Sequence, residues 1–117
     1  MHYKPGTHIV ATLETAEISL LETFEACKQE INRLVHLYQL HNLGEVYHNF
    51  SPAGFTAVVC LSESHLSLHT WPEYGRVNLD IYLSNHERSN DGTVHAIYTS
   101  FVQFFKACEL QFQTLTR

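Results

Sequence analysis

Long apolar runs are missing from this chain. No stretch approaches the ~20 consecutive apolar residues that a membrane span needs, and the N-terminus lacks the charged and hydrophobic regions of a secretory signal. A cytoplasmic protein with no membrane partner is therefore expected. Cations are scarce too: the seven Lys and Arg are scattered at Lys4, Lys28, Arg33, Arg76, Arg88, Lys106 and Arg117, and the net charge is −5. Nucleic-acid binding draws on clustered cations, so no nucleic-acid partner is expected. The three cysteines, Cys27, Cys60 and Cys108, form no CxxC pair and leave one over if two are joined, which predicts reduced, mostly buried thiols. HExxH and GxSxG are also absent, which removes the sequence grounds for a helical zinc site and for a serine-hydrolase elbow.

What remains is an ordinary globular chain. Its 117 residues, 44% of them hydrophobic, suit a single domain over 1–117 with its own core. Thr7 to Leu13 reads as a strand. From Ser19 to Leu40, apolar residues at three- and four-residue steps (Leu20, Leu21, Phe24, Cys27, Ile31, Leu34, Val35, Tyr38) predict one helix. Ser19 with Glu22 fits a capping box at its start, and Asn42 and Gly44 supply its stop. Strands are expected at Glu45–Phe50, Phe55–Leu61, His65–Trp71 and Arg76–Ser84, with a turn at Ser51–Gly54. A second helix is expected from Thr93 to Ala107, with Val94, Ile97, Phe101, Val102 and Phe105 facing inward, and a last strand at Glu109–Thr116. Short turns between neighbouring strands predict an α+β, two-layer sandwich: an antiparallel sheet with both helices on one face.

Strand alternation sorts side chains by face. Ala57, Val59, Leu61, Leu66, Leu68, Val77, Leu79, Ile81 and Leu83 take the side the helices would cover. Thr56, His69, Trp71, Tyr82 and Ser84 are then expected together on the helix-free face. The mixed apolar and aromatic character of that face suggests a homodimer packed sheet to sheet.

The densest chemistry lies in Ser62-Glu63-Ser64-His65-Leu66-Ser67-Leu68-His69-Thr70-Trp71-Pro72-Glu73, which places a carboxylate, hydroxyls, two histidines and a tryptophan between two apolar runs. Strand ends held by a rigid sheet are where binding and catalytic groups usually sit. His65 and His69 would not converge on a strand as they would on a helix, so no metal is expected. His2, His36, His41, His86 and His95 read as surface residues.

This run, with His48-Asn49-Phe50-Ser51-Pro52-Ala53-Gly54 upstream and Tyr74-Gly75 and Asp80 downstream, closely resembles the small prokaryotic S-adenosylmethionine decarboxylases. The resemblance extends from about His8 to the end of the chain and is most specific from Glu63 to Glu73. It implies self-cleavage at the Glu63–Ser64 bond into 1–63 and 64–117, with Ser64 becoming a pyruvoyl group, the enzyme's cofactor.

By the same resemblance, Ser64 attacks the Glu63 carbonyl to make an ester, and His69 is the base that takes the serine α-proton. Imidazole suits that task, since its charge change falls near neutral pH. Thr56 stands where the family commonly has a serine that assists processing. Ser84 stands where the family has the cysteine that returns a proton to the substrate, and a thiol, with a pKa of about 8.5, is far more acidic than an aliphatic hydroxyl. The pyruvoyl group would form a Schiff base with a substrate amine and withdraw electrons as carbon dioxide leaves. Phe50 and Trp71 would stack on a flat base or face a sulfonium cation, and Glu73 would accept hydrogen bonds from ribose hydroxyls. His8 and His48 match family positions.

The function implied is a decarboxylase acting on S-adenosylmethionine and feeding aminopropyl groups to polyamine (spermidine) synthesis. Two alternatives stand beside it. One keeps the pyruvoyl chemistry with arginine or ornithine as substrate, since Thr56 and Ser84 mark a diverged pocket. The other is a non-processing relative acting as a binding or regulatory subunit.

Overall fold

The computed structural model describes residues 3–117, so the surface expectation for His2 falls outside the described residues. Eight residues, Thr7–Glu14, form β1; Ser19–Glu22 form α1 and Glu25–Leu37 form α2. Three strands follow, β2 (Asn42–Asn49), β3 (Phe55–Leu61) and β4 (Ser64–Trp71). A 3-10 turn at Pro72–Tyr74 leads to β5 (Arg76–Leu83), α3 (Asp91–Phe104) and β6 (Cys108–Thr116). The strands make one sheet in the order β2-β3-β4-β5-β1-β6, and all its pairings are antiparallel.

The α+β architecture expected from the periodicity is present, but the helical region after β1 departs from expectation. The long first helix is broken in two. Thr23 is extended (φ −137°, ψ 157°), and the Phe24 N–H donates to the Asn49 side-chain oxygen at 2.8 Å instead of continuing the helical ladder. The Gly54 N–H in turn donates to the Glu22 carbonyl at 3.0 Å. Backbone groups orphaned at the break are thus satisfied by the β2–β3 hairpin, through contacts distant in sequence that local periodicity cannot register.

Both ends of this helical region also differ from expectation. Ser19 is the first helical residue and not the cap, and Ile18 before it makes no side-chain cap bond. At the other end Asn42 and Gly44 lie in β2. The stop is Gln39, at φ +54°, with the Leu40 N–H donating to Val35 O (2.9 Å) and the Gln39 N–H to His36 O (3.2 Å), the paired bonds of a Schellman ending. Helix α3 ends the same way on Lys106, at φ +50°.

One core lies between helices and sheet. Leu21, Cys27, Ile31 and Leu34 of α1 and α2, and Val94, Ile97 and Phe101 of α3, bury against Ile9, Leu13, Phe55, Ala57, Leu66, Leu68, Leu79 and Ile81. On the opposite face Val58, His69 and Trp71 are exposed. Cys27 is buried, and burial pushes its thiol up to about 12. Cys60 and Cys108 are exposed, contrary to the expectation of mostly buried thiols. Cys60 alternates onto the open face, and Cys108 sits on the edge strand β6, exposed along its length. No helix among the described residues is long and apolar enough to cross a membrane.

Candidate active site

The sequence-expected residues fall into two groups at opposite ends of β4. At one end, Phe50, Gly54, Thr56, His69, Trp71 and Glu73 line a cleft of about 360 Å³. Cross-strand pairing sets Thr56 opposite His69, and the Thr56 hydroxyl lies 2.7 Å from His69 Nδ1. For the imidazole to serve as a base through Nε2, Nδ1 must carry the proton and donate it, and the Thr56 oxygen is the acceptor that this tautomer needs.

Phe50 and Trp71 stand half-exposed at the cleft, 50% and 47%. Trp71 is not free to turn. Its indole N–H donates to Asn78 Oδ1 at 2.7 Å, and the Asn78 amide donates to the Thr12 hydroxyl at 3.1 Å. Phe50 is edge-on to His48, with ring centroids 4.8 Å apart. Gly54 closes the turn beneath them: its φ is +103°, and a Cβ there would meet Pro72 Cδ and Thr70 O at 3.2 and 3.3 Å, so the position favours glycine.

The other end is the β3–β4 hairpin. Leu61 pairs with Ser64, leaving Ser62 and Glu63 as a two-residue turn. Ser64 has φ +138°, a conformation that L-residues seldom adopt and that persists only when surroundings impose it. The Ser84 N–H donates to the Glu63 carbonyl oxygen at 2.8 Å. The Glu63 carboxylate is gripped as well: Arg88 donates through Nε (3.1 Å) and Nη2 (2.8 Å), and Asn90 through Nδ2 (2.5 Å). The Arg88 hydrogen bond, with that of Asn90, holds the Glu63 carboxyl below its usual range against the opposing effect of burial.

Thr56, His69, Trp71, Tyr82 and Ser84 therefore do not gather at one place. Tyr82 pairs with His65 near the hairpin end, and Ser84 lies just beyond β5, beside Glu63. Ser64 and His69 are five residues apart on one extended strand, roughly 16 Å at ~3.3 Å per residue.

Near the hairpin end the open face carries a third group. His8, His65 and Asp80 bring ligand-type atoms within 4.8 Å of one another. Arg117 Nη1 donates to His8 Nδ1 at 3.0 Å, which puts the His8 proton on Nε2, facing Asp80. The His8 nitrogen turned to Asp80 is thereby a donor, so His8 presents Asp80 with a proton in place of a free lone pair.

Arg88 and Asn90 had no signal in the sequence. Arg88 and Asn90 sat in a polar loop and reach Glu63 across 25 and 27 residues. Alternation puts Asn78 on the open face, but its pairing with Trp71 depends on the β4–β5 register.

The sequence model of the family described as S-adenosylmethionine decarboxylase matches residues 7–117. A relative from Archaeoglobus fulgidus, named S-adenosylmethionine decarboxylase proenzyme, is 37% identical over 101 residues, covering 86% of this chain and 87% of that protein. One of the same name from Picrophilus torridus is 35% identical over 105 residues, covering 86% and 81%. In fold, the chain is similar to the crystal structure of the adenosylmethionine decarboxylase from Aquifex aeolicus, with a TM-score of 0.80 at 23% identity, covering 99% of this chain and 91% of that one.

Proposed function

The chain belongs to the S-adenosylmethionine decarboxylase family, and on that premise we propose that it cuts itself at Glu63–Ser64 and then removes the carboxyl group of S-adenosylmethionine, supplying aminopropyl donors for polyamine synthesis. The observation that carries this reading is the state of the Glu63–Ser64 linkage: its carbonyl oxygen accepts the Ser84 N–H at 2.8 Å, and Ser64 holds an unfavourable φ of +138°. A carbonyl already hydrogen-bonded is poised to carry negative charge as a nucleophile adds to it. Strain at the following residue is relieved when the amide is broken.

The residues present fit the pyruvoyl group that processing would make of Ser64. When formed, that group supplies a carbonyl electron sink for the loss of carbon dioxide. Around it the chain's own residues hold and move protons. The Ser84 N–H steadies the Glu63 carbonyl oxygen, and the Ser84 hydroxyl is the group proposed to return a proton to the substrate. His69, its ring set by Thr56, takes the Ser64 α-proton. Phe50 and Trp71 present flat surfaces to an adenine or a sulfonium, with Asn78 fixing the Trp71 plane, and Glu73 accepts from ribose hydroxyls.

Because Ser64 and His69 lie at opposite ends of β4, one copy cannot join them. Two copies packed open face to open face, about a twofold axis running across the strands, would set the hairpin end of each over the cleft end of the other. The mixed face that carries Val46, Val58, Leu115 and Trp71, all exposed, is the surface such a homodimer would cover. The three free thiols suit a reducing, cytoplasmic setting.

Carbon dioxide release from S-adenosylmethionine, arginine and ornithine tests the substrate. S-adenosylmethionine should be turned over at least ~100-fold more efficiently, because a small amino acid leaves both aromatic surfaces unused. Comparable or faster release from arginine or ornithine would overturn the assignment.

A further inference from the structure

We infer that Arg88 and Asn90 are positioning residues for self-cleavage, holding the Glu63 side of the linkage against the Ser84 N–H while the Ser64 hydroxyl attacks. The inference rests on Glu63–Ser64 being the bond that breaks.

A surface ion pair would contribute little, and this arrangement is not one. Asn90 is 1% exposed, and its single NH2 group serves two acceptors, the Glu63 carboxylate at 2.5 Å and the Ser84 carbonyl at 2.8 Å. Asn90 is itself fixed, its N–H donating to Asn85 Oδ1 at 2.6 Å. The residue donating to the scissile carbonyl and the residue owning that carbonyl are thus tied to one buried amide. Arg88 adds a third anchor: besides its two bonds to Glu63, Nη2 donates to the Tyr38 and Gln39 carbonyls at 3.1 Å each. Those carbonyls are the open end of α2, so the turn is fastened to the helix layer from outside the sheet.

The step this serves is sensitive to placement. The Ser64 Oγ–carbon bond to the Glu63 carbonyl forms, the Glu63–Ser64 carbon–nitrogen bond breaks, and the hydroxyl proton ends on the freed Ser64 amine, leaving an ester. His69 then removes the α-proton, the Cβ–Oγ bond breaks to release Glu63 as a carboxylate, and water converts the remaining enamine to the ketone with loss of ammonia. Only the first step needs the Glu63 carbonyl held in line with the hydroxyl. Displacements of about 1 Å can cost ~100-fold in rate.

The test follows self-cleavage in time after cell-free synthesis of the full chain, by denaturing mass spectrometry, for wild type, Arg88→Ala, Arg88→Lys, Asn90→Ala and Asn90→Asp. Each sample is also exposed to neutral hydroxylamine, which cuts the ester but not the amide. Asn90→Ala and Arg88→Ala are expected to slow cleavage roughly 100-fold and 10-fold, with little hydroxylamine-sensitive ester and with the wild-type circular dichroism spectrum. Asn90→Asp, which turns an acceptor toward two acceptors, should be slow as well, and Arg88→Lys should recover part of the rate. Should the alanine variants misfold, the folded Arg88→Lys and Asn90→Asp chains decide the matter. Folded variants cleaving at the wild-type rate, or slow variants accumulating ester, overturn the inference while leaving the scissile bond in place. A wild-type chain that never cleaves overturns the underlying reading as well.

Discussion

Replacing Ser64 with alanine is expected to leave one chain of full length and to abolish decarboxylation. The hydroxyl is the only atom of the linkage that can add to the Glu63 carbonyl from its own side, and without it no ester and no ketone form. The loss should be complete in both readouts, since no pathway from an alanine leads to a carbonyl at that position. The fold should survive: Ser64 is half-buried at a strand end, and among the described residues no hydrogen bond of its hydroxyl supports the core. Gel electrophoresis and carbon dioxide release measure the two effects together. Cleavage of the Ser64→Ala chain would place the reactive bond elsewhere.

Mixing two inactive chains is expected to restore cleavage. If Ser64 of one copy meets His69 and Thr56 of the other, a heterodimer of Ser64→Ala and His69→Ala contains one whole site: the intact serine of the His69→Ala chain over the intact imidazole of its partner. Random pairing of equal amounts predicts cleavage of about half of the His69→Ala chains and of none of the Ser64→Ala chains. The mixture should be made by co-expression, so that pairing precedes processing, with the two chains distinguished by mass. An uncleaved mixture from two variants that each form dimers would mean that the site is closed within one copy and that β4 must bend to close it.

The sheet was largely legible because its strands obey alternation. Alternation gives Phe55–Leu61 the boundaries it has, and β4 and β5 theirs within one residue, because apolar and polar positions trade places there without interruption. The break at Thr23 was not legible, since its cause is the Asn49 side chain, and the apolar steps continue across it. The helix stops are not legible for a related reason: Gln39 and Lys106 occupy positive φ positions that glycine usually fills.

The site was legible in its residue types and not in its layout. Which side chains share a face follows from parity, but distances along a strand depend on register, and register depends on the turn. Ser62-Glu63 makes a two-residue hairpin without the Asn-Gly or Gly-X chemistry that announces one. Once that turn is seen, Thr56 must face His69, and Ser64 must stand far from both. Glu63 carried no hint that its carboxylate is held by Arg88 and Asn90, because those partners come from a loop without periodicity.

Everything turns on one backbone linkage, and the mass of the purified wild-type protein under denaturing conditions tests it most directly. The account predicts two fragments, residues 1–63 ending in a free carboxylate and residues 64–117 beginning with a pyruvoyl group and resistant to N-terminal sequencing. A folded, purified sample that consists of one chain of 117 residues, with an ordinary amide between Glu63 and Ser64, would contradict it.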